Sequence, residues 1–439
     1  MYDRPEDLQG LAPAAHRFRR YAAAATLIVA TSTAHAGPEQ VAKPAVTRRG
    51  WTLDLTGYIQ ADAVAWSEDS ANELDSDGDP LNEERFLIRR GRIRFEAHRD
   101  AITGALELDG NTIDGPTARI LGAQLTYAFP AKGEPLVAAT AGLFKIPFGR
   151  EVPASERDKP FLEPPAFARA LFPGNYDAGA MLGGAYGVAR WSLAVMNGAP
   201  VGDAQWHGRD PVGSLDLVGR VSAVIEGPSR FRVEAGVSGI TGRGLHPGTP
   251  GTKDELQWVD ENQDGIVQIT EIQVVSGMTA TPSQTFDRDA LGIDIAVHWC
   301  ICVIGTGTAF AEGAIATNLD RGLVYADPIA TSRDLRQLGW AIGVVQNLGD
   351  HAAVGIRYDR YDADRDALER EGVAIVGIHK TFSTLSVMAQ GHRLATGYWN
   401  DARLVAQYDH ERNPFGRADD GAPITRADDR VTLRAQVGF

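Results

Sequence analysis

The feature that most constrains this chain is an alternation of apolar and polar residues over runs longer than a soluble strand needs. In residues 51–66 the odd positions are Trp51, Leu53, Leu55, Gly57, Ile59, Ala61, Ala63 and Ala65, and the even ones begin Thr52, Asp54, Thr56, Tyr58, Gln60 and Asp62. A β-strand sends successive side chains to opposite faces, so this run has one apolar and one polar face. Strands of soluble proteins are typically about 5–6 residues long, whereas a strand with lipid on one side and water on the other alternates for about 10 residues. Residues 86–98 repeat the pattern. Leu87, Gly91, Ile93, Phe95 and Ala97 share one face, broken by Arg89; Arg90, Arg92, Arg94, Glu96 and His98 share the other. The last residues follow suit, with Val431, Leu433, Ala435, Val437 and Phe439 opposite Arg430, Thr432, Arg434 and Gln436.

Weaker runs at 102–111, 118–129, 136–146, 180–197, 215–225, 231–241, 288–299, 304–316, 336–347, 352–362, 371–381, 385–394 and 402–411 bring the total to about 16 strands, within a range of 14–18. Short breaks at 226–229 and 349–350 read as turns. Long polar breaks at 67–83, 147–178, 243–287, 317–334 and 412–428 read as external loops. Short turns at one end and long loops at the other are the asymmetry of a transmembrane antiparallel β-barrel. The expected fold is therefore all-β, one barrel domain over 51–439 after a short lead-in at 37–50.

The first 36 residues read as a signal peptide: Arg17, Arg19 and Arg20, a short apolar run from Tyr21 to Thr33, and an Ala34-His35-Ala36 cleavage pattern. That run is too short for a membrane-spanning helix, which needs about 20 apolar residues. The expected destination is the outer membrane of a Gram-negative-type bacterium, with a lipid bilayer and lipopolysaccharide as surroundings. A net charge of −14 argues against a nucleic-acid partner. Arginine supplies nearly all the positive charge, and its planar, permanently ionised guanidinium suits oxyanions. Cys300 and Cys302 form neither a disulfide framework nor a four-ligand zinc pattern.

Several stretches resemble the phosphate-selective porin O/P family of bacterial outer membranes. They are Phe86-Leu87-Ile88-Arg89-Arg90-Gly91-Arg92-Ile93-Arg94-Phe95-Glu96, Gly142-Leu143-Phe144-Lys145-Ile146-Pro147-Phe148-Gly149-Arg150-Glu151, and Pro173-Gly174 with Asp177-Ala178-Gly179. Val195-Met196-Asn197-Gly198, Arg357-Tyr358-Asp359-Arg360-Tyr361-Asp362 and Leu433-Arg434-Ala435-Gln436-Val437-Gly438-Phe439 are similar to further family segments. The resemblance implies a 16-stranded, homotrimeric barrel whose third loop, residues 147–178, folds inward to narrow the pore. The chain departs from the family at Asn175-Tyr176, where an Arg is common before Asp177, and in its acidic external loops.

These readings make the chain a candidate porin for passive diffusion of small solutes. Arg90, Arg92 and Arg94 stand about 6.6–6.8 Å apart along one strand face, a ladder for small anions such as phosphate. Lys145, Arg150, Arg430 and Arg434 extend the set of expected pore-lining cations. Cationic columns favour anions, whereas a lumen neutralised by Asp54, Asp62 and Glu96 would give general diffusion without ion selectivity. Both remain open. Loop 147–178 carries prolines at 147, 153, 160, 164, 165 and 173, which stiffen it by fixing φ. No cofactor is required, but Asp260, Asn262, Asp264, Ile266 (carbonyl), Gln268 and Glu271 match the 12-residue calcium loop, with Gly265 at its sixth position. Asp75, Asp77 and Asp79 match it less well, because Phe86 falls where Glu is needed. A structural or adhesive barrel with Ca²⁺-binding loops is the third reading. An enzyme is not expected: no Gly-x-Ser-x-Gly, His-Glu-x-x-His or phosphate loop occurs.

Overall fold

The computed structural model describes residues 45–68, 82–113, 115–131, 133–202, 213–301, 303–371, 374–377, 380–393, 401–417 and 423–439. The expected signal peptide at 1–36, most of the lead-in, the Asp75 to Asp79 cluster and Cys302 lie outside the described residues.

Sixteen strands close into an antiparallel barrel, each paired with the next and the last with the first. They are β1 (Trp51–Trp66), β2 (Arg85–Arg99), β3 (Ile102–Asn111), β4 (Thr117–Phe129), β5 (Val137–Lys145), β6 (Tyr176–Tyr186), β7 (Ala189–Met196), β8 (Asp216–Glu226), β9 (Arg232–His246), β10 (Gln284–Ile301), β11 (Gly305–Thr317), β12 (Arg336–Leu348), β13 (Ala352–Asp362), β14 (Thr381–Arg393), β15 (Asp401–Arg417) and β16 (Pro423–Gly438). Closure leaves no unpaired sheet edge, which is the condition for backbone to cross a hydrocarbon layer as strands. At the seam Tyr58 pairs with Gly438 and Trp66 with Arg430, and Gly57 and Phe439 exchange backbone hydrogen bonds of 3.0 and 2.9 Å. Ala45–Arg48 pairs with Trp51 to Asp54 on the same edge, continuing the line of β16.

The alternation resolves as expected into an outside and an inside. On β10, Leu291, Ile293 and Ile295 are exposed (Ile293 to 62%), while Arg288, Ala290, Asp294 and Ala296 are buried. Exposed aromatics, Tyr127, Phe129, Tyr186 and Phe231, gather near the short turns, where a barrel carries an interfacial girdle.

The strand total agrees with the sequence reading through two offsetting differences. The single run 180–197 is two strands, because Gly187, at φ +58°, turns the chain in a two-residue hairpin and Tyr186 pairs with Ala189. The run 371–381 supplies no barrel strand of its own. Ala374–Gly377 pairs with Leu368–Glu371 in a separate hairpin outside the barrel. A four-residue strand spans about 13 Å, too short for an apolar band about 25 Å tall. The 412–428 break is also shorter than expected, since β15 and β16 continue as a ladder to Arg417 and from Pro423.

The face of β2 needs a correction too. A β-bulge opposite Gln60 and Ala61 makes Arg89 an extra residue: Gln60 pairs with Arg90 and Ala61 with Ile88. The phase therefore flips. Leu87 is buried inside, whereas Phe86 and Ile88 face outward. Arg89, the apparent exception in the apolar face, joins Arg90 in the lumen.

Loop 3, residues 146–175, folds into the barrel as expected and carries a short helix α1 (Ala166–Leu171). It has two unlike sides. Phe148, Val152, Phe167, Leu171 and Phe172 pack against Met196, Val218, Ile240, Ala290, Ala314, Ala341 and Tyr361 of the wall. The opposite side is charged and meets β1, β2, β15 and β16.

Candidate functional site

The wall opposite the apolar contact presents Gln60 and Asp62 from β1, Arg89 and Arg90 from β2, and Arg434 from β16. All converge on the charged side of loop 3. Glu163 is the node. Its carboxylate accepts from Arg89 Nε at 2.8 Å and Nη2 at 2.6 Å, from Arg434 Nη2 at 3.0 Å, and from Arg90 Nη2 at 3.4 Å. Arg434 also clasps Asp62 through two 2.7 Å bonds and donates to Leu162 O at 2.9 Å. Arg90 reaches Glu156 at 3.3 Å and Gln60 Oε1 at 3.1 Å. Paired, charge-assisted geometry of this kind is what allows ionised groups to be buried.

The loop backbone is held as closely as its side chains. Glu312 on β11 accepts from the N–H groups of Arg150 and Glu151, both at 3.0 Å. Asp359 on β13 accepts from Ala166 N at 3.0 Å, and Gln407 on β15 from Leu162 N at 3.0 Å. Arg403 donates to the carbonyls of Arg157 and Lys159. These anchors come from walls on both sides of the lumen.

Two cavities flank the loop. One, of about 720 Å³, lies toward the short turns and is lined by Arg92, Arg94, Lys145, Arg157 and Arg220, with three carboxylates. The other, of about 180 Å³, lies toward the long loops and is lined by Arg85, Arg89, Arg169, Arg430 and Arg434, again with three carboxylates.

The structure thus separates the expected pore residues. Arg90 and Arg434 meet at Glu163. Arg92 pairs with Asp109 at 3.1 Å and lies over the Tyr58 ring. Arg94, with its side chain 35% exposed, pairs with Glu96 at 3.0 Å and Glu107 at 3.4 Å. Lys145 ends β5, with its ammonium on the carbonyls of Pro153 and Ala154. Arg430 pairs with Asp409 at 2.9 Å and Glu411 at 2.6 Å, over the Trp66 ring. Arg150 stands apart, its guanidinium over Phe310 at 5.1 Å. Asp62 pairs with Arg434 and Glu96 with Arg94, but Asp54 lies 3.5 Å from His98 Nδ1 instead. Sequence reasoning gave no role to Glu163, Arg89 or Glu312. The signal for Arg89 was its break in the alternation.

Two carboxylates of the loop, Glu156 and Glu163, are strongly acidic. Burial works against ionised Glu156, but Lys159 and Arg90 outweigh it and hold its pKa down to about 2. Burial also opposes ionised Glu163, and Arg89, Arg90 and Arg434 hold it well below the usual carboxylate range. Depressed carboxylates contribute stability that is fully present above the unfolded value of about 4.3 and lost as pH falls through the folded value. Protease protection of loop 3 in the folded barrel is therefore expected to stay constant from pH 7 to about 4 and to fail only toward pH 2. A loss centred near pH 5 would contradict these pairings.

The calcium-like segment lies in an external loop and is flanked by the hairpin Glu255–Trp258 and Ile272–Val275, not by helices. Asp260 accepts from Asp264 N and Gly265 N at 3.1 and 2.9 Å, and Asp264 accepts from Ile266 N and Gln268 Nε2 at 2.8 Å. Asn262 accepts from Asp264 N at 2.9 Å. Glu271 is buried and accepts from Trp258 Nε1 at 3.0 Å. Among the described residues no group of three or more His, Cys, Asp or Glu converges on a metal position. The carboxylates thus serve the loop's own backbone and Trp258. If the segment binds Ca²⁺, the ion slows proteolysis of residues 247–283 in the parent chain and not in Glu271→Ala; equal cleavage in Ca²⁺ and chelator would remove the metal reading.

Cys300 is a free thiol near the short-turn end of β10.

No family model and no curated protein matches the chain. Solved structures do. The barrel is similar to the outer membrane channel DcaP of Acinetobacter baumannii, with a TM-score of 0.54 and 12% identity over 90% of this chain and 99% of that one. It is similar to a loop L8 deletion mutant of OmpT, an outer membrane protein of Vibrio cholerae, with a TM-score of 0.51 and 8% identity over 89% and 100%. It is similar to OprB of Pseudomonas putida in its high-pH structure, with a TM-score of 0.50 and 10% identity over 89% and 94%. At these identities the likeness is one of fold: the chain has the closed barrel of bacterial outer-membrane channel proteins.

Proposed function

We propose that this chain is a porin of the bacterial outer membrane that passes small solutes by passive diffusion and prefers anions, in the manner of the phosphate-selective porin O/P family it resembles. One observation carries the reading. Although the whole chain bears a net charge of −14, each of the two cavities beside loop 3 is lined by five cations and three carboxylates. Cationic groups along a pore wall favour anions. Lys145 and Arg169, one on each side of the loop, have no carboxylate within ion-pair distance among the described residues.

General diffusion is the second reading, favoured by the pairing of Arg90, Arg92, Arg430 and Arg434 with acids. The reversal potential of the purified protein in a planar bilayer under a KCl gradient separates the two. Anion preference, with conductance reduced by added phosphate, is the expected result; a reversal potential near zero would install the general porin instead. The resemblance also implies a homotrimer embedded among lipid and lipopolysaccharide, which cross-linking in native outer membranes tests through the mass of the product.

A further inference from the structure

We infer that the cavity of about 720 Å³ beside loop 3 binds an organic anion rich in hydroxyl groups, of the sugar-acid or sugar-phosphate kind. This rests on the anion preference proposed above and adds the substrate class.

The volume falls in the range of small-molecule sites, about 300–1,000 Å³, and a bare oxyanion would leave most of it to water. Its wall supplies one cation suited to a ligand. Lys145 is held by the carbonyls of Pro153 and Ala154 and by the face of Tyr176 at 5.6 Å, with no carboxylate counter-ion among the described residues. The neighbouring charges are largely occupied. Glu107 serves Arg92, Arg94 and the Tyr176 hydroxyl, and Glu156 serves Arg90 and Lys159.

The neutral polar groups are the second observation. Thr56 on β1, Gln124 on β4, Ser192 on β7 and Ser155 on loop 3 line the cavity from widely separated parts of its wall. None of the four has a side-chain hydrogen bond to another described residue. Neutral donors and acceptors spread around a cavity add nothing to the hold on phosphate at Lys145. They suit a ligand whose hydroxyls point in several directions from one charged end. Asp158, exposed at the same cavity, supplies a further acceptor for hydroxyls and disfavours a ligand with negative charge at both ends.

The test is titration calorimetry on the full chain folded in detergent, with gluconate, glucose 6-phosphate, glucose and inorganic phosphate as probes. Gluconate and glucose 6-phosphate are expected to bind at least about tenfold more tightly than glucose or phosphate, and the stronger of the two names the anionic group. Lys145→Gln is expected to weaken both about tenfold, and Ser192→Ala, a small change that leaves the wall intact, about threefold. Phosphate binding as tight as either hydroxylated anion, no binding by either of them, or binding indifferent to both substitutions overturns the inference. Conductance separates the two readings. An anion-selective channel without this binding sinks the substrate class alone, and tight binding by a channel without anion preference sinks the selectivity alone.

Discussion

Glu163→Gln is expected to raise the anion-to-cation permeability ratio about fivefold without altering the barrel. The argument is one of charge. Glu163 is shared by Arg89, Arg90 and Arg434. In the variant, Arg90 keeps Glu156 and Arg434 keeps Asp62, but Arg89 loses the carboxylate that neutralises it and faces the long-loop cavity as a net cation. A unit charge about 5 Å from a passing ion, at an effective dielectric constant of about 20, changes its energy by about 3 kcal/mol before screening. Salt and mobile water reduce that to about 0.5 kcal/mol for each ion, of opposite sign for anion and cation, which is a factor of about five in their ratio. Glutamine retains an acceptor and the shape of the side chain, so loop 3 keeps most of its anchors. The readout is the reversal potential, with heat-modified gel mobility confirming a folded barrel. A ratio that stays at the parent value would mean that ions do not pass the Glu163 node. A shift toward cations would refute the assignment of sign.

The outside of this protein was legible in its sequence because lipid imposes one rule on every strand. Trp51 to Ala65, Gly91 to Ala97 and Val431 to Phe439 obey it, and their strands stand where the alternation put them. The inside was legible only in part, because the rule there is set by what each stretch of wall faces. Arg89 looked like an error in the outward face until the bulge turned it inward. Loop 3 looked like a charged, proline-stiffened constriction, and its charged half is one. Its apolar half went unread because Phe148, Phe167 and Phe172 follow no period and find their partners far along the chain. A signal was present on the other side of that contact. The lumen face of β10 to β12 carries Ala290, Ala314, Gly339 and Ala341, where a water-filled wall would carry polar groups. Gly339 shows why: a Cβ there would lie 2.2 Å from the Cβ of Phe167. Small residues on a nominally polar face mark the place where something else is packed. The calcium-like spacing is a separate signal, and its acids also accept hydrogen bonds from their own loop and from Trp258.

If the apolar half is what seats the loop, Phe167→Ala should release loop 3 while the barrel persists. Phe167 is 1% exposed and lies in the contact with β12, β13 and β14; Phe172 stacks on Phe148 with ring centroids 4.6 Å apart in the same cluster. Replacing a buried Phe by Ala costs about 3–5 kcal/mol. The barrel's ladder contains none of these residues, so the cost falls on the docked state of the loop. Anchors beside that contact, Asp359 to Ala166 N and Glu312 to Arg150 N and Glu151 N, are hydrogen bonds worth about 1–3 kcal/mol each in net terms, and water competes for them once the apolar contact opens. The expected result is trypsin cleavage after Arg157 or Arg169 in a barrel that still shows heat-modified mobility. Single-channel conductance should rise as the loop leaves the lumen. Loss of the folded barrel itself would show that loop 3 is part of the barrel's core and not a separate plug. Resistance to trypsin with parental conductance would show that the charged side alone suffices to hold the loop, and the Glu163 node would then be its principal anchor.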